Sequence, residues 1–162
     1  MERLWAPWRI DYITQEKPAG CIFCREGSER DRLVLLTGPL TLVMLNRYPY
    51  VNGHLMVSPR RHTADLAALS EAEVLELFQG VALCQDALSR SCAPDGYNIG
   101  INLGKAAGAG VEDHLHLHVV PRWNGDSNFM NVVADLRVIP EALLASYDRL
   151  LPFFGAAAGE AG

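Results

Sequence analysis

The stretch His114-Leu115-His116-Leu117-His118-Val119-Val120 alternates imidazole and aliphatic side chains. Successive side chains of a β-strand point to opposite faces, so this spacing places the three histidines on one face of a strand and the aliphatic residues on the other. We expect the aliphatic face to pack in the core and the histidine face to line a pocket. Three neighbouring imidazoles are unusual on a solvent-exposed face, because charged or hydroxyl side chains would be solvated equally well there.

The other two of the five histidines, His54 and His62, bracket the preceding strand candidate. Clustered imidazoles serve two chemistries: metal binding through a neutral nitrogen, and covalent catalysis in which a neutral imidazole attacks an electrophile. Spacing alone does not choose between them. Cys21 and Cys24 form a CxxC pair, and two thiolates with two imidazoles complete a tetrahedral structural zinc site, which leaves the remaining histidines free for catalysis.

Strand-type segments around one long helical segment predict an α+β domain whose helix covers one face of an antiparallel sheet. Ser70-Glu71-Ala72-Glu73 is a capping-box pattern, and an apolar stripe at helical period follows it, ending before Pro94. A second helix is expected to begin near Pro140. Strands are predicted at residues 33–36, 40–46, 54–58, 97–103 and 114–120, the last of them stopped by Pro121.

The composition, with 162 residues of which 49% are apolar and 20% charged, matches one globular domain. We expect this domain to span residues 1–154 and to be followed by a flexible tail of small residues at 155–162.

The net charge of -5 argues against a long nucleic acid as partner. The sequence shows neither an apolar run of membrane-helix length nor a signal-peptide pattern, so we expect a soluble protein of the cytoplasm.

The alternation His-φ-His-φ-His-φ-φ, with φ apolar, resembles the signature of the histidine-triad (HIT) superfamily of nucleotidyl transferases and hydrolases. Similar pieces lie at residues 4–9, 45–57, 98–104 and 121–129, so the resemblance covers nearly the whole chain. Within the superfamily these pieces are most similar to the bacterial diadenosine tetraphosphate phosphorylase branch. The resemblance implies a HIT-like domain with a five-stranded antiparallel sheet, one long helix and a C-terminal helix, which pairs into a homodimer.

Carried onto this sequence, the resemblance implies that His116 attacks the α-phosphorus of a nucleotide and forms a nucleotidyl-histidine intermediate. His118 is expected to bind phosphate oxygens and to assist the leaving group, and His54 to lie beside the nucleophile and help orient its ring. Because attack needs a neutral imidazole, the second nitrogen of His116 should donate its proton to a fixed acceptor such as a backbone carbonyl. The expected substrate contacts are Asn46 near the ribose and, near the phosphates, Asn102, Gly108, Ala109 and Gly110.

The resemblance to zinc-bearing members further implies a structural Zn2+ held by Cys21, Cys24, His62 and His114. A closed shell of four protein ligands leaves no position for a substrate, so such an ion would stabilise the fold and take no direct part in the reaction. The alternative is that both cysteines are free buried thiols and that His114 is hydrogen-bonded into the fold.

The loop before the triad departs from the family pattern. Residues 109–113, AGVED, contain neither the glutamine typical of HIT hydrolases nor the serine found in phosphorylase relatives. The absence of glutamine is more compatible with inorganic phosphate as the acceptor than with directed attack by water, while the absence of serine weakens the phosphorylase assignment. Three functions therefore stay open: a phosphorylase with phosphate as co-substrate, a hydrolase, and a module that binds nucleotide or zinc without turnover.

Overall fold

The structure is a computed structural model that describes residues 20–126 and 141–155, and the structural statements below concern these residues. They form a five-stranded antiparallel sheet covered by helices, which confirms the predicted α+β class. The strands are β1 (Val34–Thr37), β2 (Thr41–Leu45), β3 (Leu55–Pro59), β4 (Gly96–Ile101) and β5 (Leu117–Arg122). The helices are α1 (Glu29–Arg32), α2 (Glu71–Cys92) and α3 (Leu143–Gly155), with short 3₁₀ turns at Leu66–Ala68 and Lys105–Ala107.

The sheet has the strand order β1-β2-β3-β5-β4, so β5 lies between β3 and β4. One face of the sheet packs against α2 and α3 and forms the main core. Gly80 of α2 allows the close approach, because a Cβ there would lie 2.9 Å from Cγ1 of Val57. The side chains that the strands contribute to this core are Leu35, Val43, Leu45, Leu55, Val57, Leu117 and Val119.

Helix α2 begins where the capping box predicts. The Ser70 hydroxyl accepts from the Glu73 amide at 3.2 Å, and the Glu73 carboxylate accepts from the Ser70 amide at 2.8 Å. The helix ends at Cys92, and Ala93 then takes the left-handed conformation that terminates it before Pro94. Arg61 also binds the Glu73 carboxylate, at 2.9 Å, and so ties the β3–α2 connection to the helix start.

Strand β5 differs from the prediction at both ends. It begins at Leu117, so His114 and His116 lie in the irregular segment just before it. In that segment the Leu115 amide donates to the Thr63 carbonyl at 2.7 Å, outside the register that joins β5 to β3. At the other end the strand continues through Pro121, because pairing with β3 stops at Val119 and proline is tolerated where a strand has one paired neighbour.

The ends of β4 and of the C-terminal helix also differ from the predicted bounds. Strand β4 ends at Ile101, two residues before the predicted end, and the predicted helix start at Pro140 lies outside the described residues. The C-terminal helix is present from Leu143 and includes Gly155, while residues 156–162 and the N-terminal segment 1–19 also lie outside the description. Across the described part of the chain, no helix has both the length and the apolar character needed to span a bilayer.

Candidate active site and metal centre

The face of the sheet away from the helices carries the histidines. His118 pairs with Met56 of β3 and Gly100 of β4, so these residues share this face. A small apolar cluster lines the same side of the sheet and is formed by Phe23, Val34, Leu42, Met44 and Met56. Within β5 the alternation therefore separates the core face of Leu117 and Val119 from the face of His118, as predicted, whereas His114 and His116 precede the strand.

The imidazole rings on this face lie in contact with one another. The ring centroids of His116 and His118 are 4.9 Å apart, and those of His54 and His118 are 5.1 Å apart. His116 is only 4% exposed and His54 is fully buried, whereas His118 is partly exposed. The expected nucleophile is thus more covered than an open pocket would leave it, and of these three rings only that of His118 is partly exposed.

The hydrogen bond of His116 fixes its tautomer. Its Nδ1 lies 2.8 Å from the backbone carbonyl oxygen of His114. A carbonyl oxygen can only accept, so Nδ1 carries the proton and donates it. Nε2 of the neutral ring therefore keeps a free lone pair, which is the state required for nucleophilic attack. The fixed acceptor that the chemistry requires is the carbonyl two residues earlier in the chain.

His54 is held by the turn that precedes β3. The amide of Tyr50 donates to Nδ1 of His54 at 3.1 Å, and the side-chain amide of Asn46 approaches the same nitrogen at 3.3 Å. Because the backbone amide can only donate, Nδ1 of His54 is the acceptor and Nε2 carries the proton. Nε2 of His54 lies 3.0 Å from Nδ1 of His118 and donates to it. In neutral His118 the proton is consequently on Nε2, available to a substrate oxygen.

The role expected for His54 therefore changes in one respect. Its hydrogen bond goes to His118, while the His116 ring is oriented by the His114 carbonyl. The Tyr50 ring stacks on His54 with centroids 4.7 Å apart and an interplanar angle of 30°. Sequence reasoning missed Tyr50, although the spacing Tyr50-Val-Asn-Gly-His54 contains the turn that brings it back over the ring.

Burial keeps these rings neutral. Burial, then the neighbouring His118 and His116, lower the pKa of His54 to about 3. Burial and His116 lower the pKa of His118 to about 4. Burial also lowers the pKa of His116, and the hydrogen bond to the His114 carbonyl opposes this shift in part. At neutral pH the nucleophilic lone pair is therefore not blocked by a proton.

A second cluster lies at the other end of the histidine segment and contains Cys21, Cys24, His62 and His114, whose ligand atoms all lie within 4.8 Å of one another. Nδ1 of His114 is 3.2 Å from Sγ of Cys21 and 3.4 Å from Sγ of Cys24. Nδ1 of His62 is 3.2 Å from Nδ1 of His114. Zinc bond lengths of about 2.0 Å to nitrogen and 2.3 Å to sulfur give tetrahedron edges of about 3.3–3.8 Å. The three distances around Nδ1 of His114 are close to these edges.

The surroundings of the cluster also suit a cation. Nε2 of His114 lies 2.8 Å from the Pro59 carbonyl and donates to it, so the nitrogen that faces the cysteines carries a lone pair. Nε2 of His62 is 3.6 Å from the Asp113 carboxylate, slightly beyond hydrogen-bonding distance, so an acidic group of the kind that orients metal-binding histidines lies beside the ring. Desolvation, then the hydrogen bond and charge of Cys21, raise the pKa of Cys24 to about 11, so Cys24 would become a thiolate at neutral pH only beside a positive charge.

The predicted substrate contacts are only partly brought together. Asn46 lies against His54, with its backbone amide 2.9 Å from the His54 carbonyl. In the glycine-rich loop, the Gly108 amide donates to the Lys105 carbonyl at 2.9 Å and the Ala109 amide to the Gly104 carbonyl at 3.3 Å. These two amides would have to leave their carbonyls to bind a phosphate. Asn102, whose side chain is near Gly108, and exposed Gly110 complete the predicted set.

The chain is similar to known proteins over most of its length. The profile of the HIT domain family matches residues 27–125. An AP-4-A phosphorylase of Mycobacterium tuberculosis is 37% identical over 93% of this chain and 83% of its own length. An adenosine 5'-monophosphoramidase of Schizosaccharomyces pombe is 32% identical over 64% of this chain and 75% of its own. A zinc-bound histidine triad protein from Mycobacterium smegmatis has a similar structure, with a TM-score of 0.62 at 31% identity over 78% of this chain and 86% of its own.

Proposed function

Because the chain belongs to the HIT domain family, we propose that it is an enzyme that transfers nucleotidyl groups from dinucleoside polyphosphates through a covalent intermediate on His116. One observation carries the proposal: Nδ1 of His116 donates to the His114 carbonyl, so Nε2 presents a free lone pair at neutral pH. A ring that served only to hold phosphates would instead present an N–H donor or a positive charge to the anion.

The proposed first step is in-line attack of His116 Nε2 on the α-phosphorus of diadenosine tetraphosphate. A phosphorus–nitrogen bond forms, the bond from phosphorus to the bridging oxygen breaks, and ATP leaves while AMP stays on the ring. His118 donates from Nε2 to the departing phosphate or to a non-bridging oxygen, since its Nδ1 accepts from His54. Donors placed in advance on the oxygens where charge develops stabilise the transition state without reorganisation.

In the proposed second step, inorganic phosphate attacks the phosphorus of the adenylyl-His116 intermediate, and ADP leaves with the free ring restored. The phosphorylase relative, similar over 93% of this chain, favours phosphate as the acceptor. The loop residues 109–113 also lack the glutamine expected of hydrolases. The alternative is water as the acceptor, with AMP as product from a dinucleoside polyphosphate or a nucleoside phosphoramidate, as the similarity to a phosphoramidase suggests.

The proposal includes a structural Zn2+ bound by Sγ of Cys21 and Cys24 and by Nδ1 of His62 and His114. When bound, the ion supplies charge neutralisation to two thiolates and fixes four side chains, and no substrate position is left in a tetrahedral shell. The chain's own residues orient the ligands: the Pro59 carbonyl accepts from His114, and Asp113 lies beside His62.

We place the protein in the cytoplasm, where free thiols persist, since the described cysteines form no disulfide.

We also propose that two copies form a homodimer along β4. In the described residues β4 is an edge strand, and Ile99 on its helix-side face is 42% exposed. Leu75 and Phe78 of α2 are each 61% exposed. They lie on the same face of the helix as Gln85. The Gln85 carbonyl accepts from the Tyr97 hydroxyl of β4, so this helix face adjoins the edge strand. An open edge next to an exposed apolar stripe is a surface that association covers.

Replacing Phe78 with aspartate should convert the dimer to a monomer in light-scattering measurements. The matched control is Leu144→Asp, since Leu144 is 50% exposed and lies on α3, which packs against α2 and β1. A monomeric wild-type protein at micromolar concentration, or a dimer that withstands Phe78→Asp, would reject this interface.

Product analysis tests the reaction. Purified protein is mixed with diadenosine tetraphosphate with and without inorganic phosphate, and the covalent intermediate is trapped by quenching and identified on His116 by mass spectrometry. We expect ADP and ATP with phosphate present, and no adduct in His116→Ala. AMP formation that phosphate does not affect would assign the water-dependent reaction, whereas nucleotide binding without adduct or product would reject the enzyme in favour of a binding module.

A further inference from the structure

We propose that Phe23 is a positioning residue that holds the His116 ring in line for attack and connects it physically to the metal centre. The inference rests on the proposed function, in which His116 is the nucleophile. It assigns a role to a side chain that lies outside the histidine segment and between the two cysteines of the CxxC pair.

The Phe23 side chain covers the metal ligand and the nucleophile together. It is 5% exposed, and its ring centroid lies 4.9 Å from that of His114 and 5.0 Å from that of His116. The interplanar angles are 46° and 36°, and both distances are in the range of favourable aromatic contacts. A single phenyl ring therefore bridges the two sites.

The backbone of Phe23 is fixed on both sides. The Cys24 amide donates to the Cys21 carbonyl at 3.1 Å, which closes the turn around Phe23. The carbonyl of Phe23 accepts from the Arg32 guanidinium at 3.1 Å. Both cysteine sulfurs contact Nδ1 of His114, so the turn is attached to the histidine segment that follows it in space. The backbone of Phe23 therefore cannot move away without opening the cysteine cluster, and the burial of the phenyl ring leaves it little room to turn.

His116 needs this support because its hydrogen bond restrains only one edge of the ring. Nδ1 is held by the His114 carbonyl, but the ring plane can still tilt about that bond. Phe23 packs on one side of the ring and His118 contacts it edge-on, at 4.9 Å and 76°. Attack requires the Nε2 lone pair to point along the axis of the breaking phosphorus–oxygen bond. Loss of the phenyl ring should therefore slow the chemical step and leave nucleotide binding nearly unchanged.

The test compares Phe23→Leu with Phe154→Leu. Phe154 is equally aromatic and fully buried, but it belongs to the core between the sheet and the helices. At full zinc content, we expect Phe23→Leu to lower the single-turnover rate of adduct formation on His116 by on the order of tenfold, with KM unchanged. Phe154→Leu should lower the melting temperature yet keep the rate within about twofold of wild type. Phe23→Tyr retains the ring and should restore most of the rate.

A second readout does not depend on activity. The phenyl ring current shifts the ring-proton NMR signals of His116, so Phe23→Leu should move them, and removal of the metal by a chelator should move the same signals in wild-type protein. Unchanged rate or unchanged signals in Phe23→Leu would overturn the inference. So would an equal rate loss in Phe154→Leu, or a rate loss that only follows lost zinc. If wild-type protein forms no adduct, the proposed function fails, and the NMR signals alone decide whether Phe23 holds His116.

Discussion

Replacing His54 with leucine removes the donor that sets the protonated nitrogen of His118. In the folded protein the Tyr50 amide donates to Nδ1 of His54, and Nε2 of His54 donates to Nδ1 of His118 at 3.0 Å. Leucine can do neither, so Nδ1 of His118 loses its partner and its neutral ring no longer has one enforced tautomer. An unsatisfied buried polar group destabilises a fold by about 1–3 kcal/mol. We expect a loss near the lower end of that range in the free energy of unfolding, because both hydrogen bonds of His54 are only partly buried and water can replace part of what they provide.

The effect on the reaction should depend on the leaving group. Positioned proton transfer contributes about 10²–10⁴-fold to a rate, and His118 without His54 still holds its proton on Nε2 part of the time. We therefore expect His54→Leu to slow adduct formation by about tenfold to a hundredfold with adenosine 5'-phosphoramidate, whose amine must be protonated to leave. With the p-nitrophenyl ester of AMP, whose leaving group needs no proton, the loss should be several times smaller.

Two measurements check this prediction: the ratio of single-turnover rates for the two substrates, and nitrogen NMR, which reports the protonated nitrogen of His118. His54→Gln is the matched control, because an amide can both accept from Tyr50 and donate to His118, and it should recover part of both effects. Equal rate losses with the two substrates, together with an Nε2-protonated His118 in His54→Leu, would refute the idea that His54 sets the tautomer of His118.

Other outcomes follow from the same contacts. Cys24→Ser should reduce bound zinc below one equivalent and lower the melting temperature, as metal analysis and calorimetry can show, whereas retention of a full equivalent would contradict the proposed ligand set. Gly53 has φ of +77°, and a Cβ there would lie 2.9 Å from Cδ2 of Leu88, so Gly53→Ala should destabilise the fold by about 1–3 kcal/mol in urea titrations and move His54. Ser70→Ala should remove about 1 kcal/mol by loss of the helix cap, with no change in adduct formation. The pKa of His54 falls from 6.5 to about 3 on folding, so the unfolded chain binds more protons between those pH values. The contribution of His54 to the free energy of unfolding should therefore be complete above about pH 6.5 and decrease as the pH falls. His54→Gln should flatten this dependence in urea titrations.

Local patterns in the sequence determined much of this fold. The capping box placed the start of α2 at Ser70, because both partners of the motif lie within four residues. Strict alternation separated the core face of Leu117 and Val119 from the face of His118, since the side-chain period of a strand is two. The strand ends were less predictable. Whether His114 and His116 belong to β5 depends on Thr63, which is distant in sequence and takes the Leu115 amide.

The candidate site was predictable in composition but not in connectivity. The sequence indicates that His54, His116 and His118 act together, yet it contains no signal that His54 bonds to His118 rather than to His116. That choice follows from the register of β3 with β5, in which Met56 faces His118. The role of Phe23 could not be predicted either, because its contact with His116 forms only when the CxxC turn packs against the segment just before β5.

Within residues 20–126 and 141–155, His114 is bonded to both centres, because three of its groups are engaged at once. Its Nδ1 faces the cysteine sulfurs, its Nε2 donates to the Pro59 carbonyl, and its own carbonyl accepts from Nδ1 of His116. The ring of the proposed nucleophile is therefore hydrogen-bonded to the backbone of a residue whose side chain is fixed at two points. Substitution of His114 should consequently impair metal binding and catalysis together. His62 contacts the cysteine cluster but not His116. Its substitution should impair metal binding first. It should slow the reaction only to the extent that the Cys21–Cys24 turn and Phe23 become more mobile.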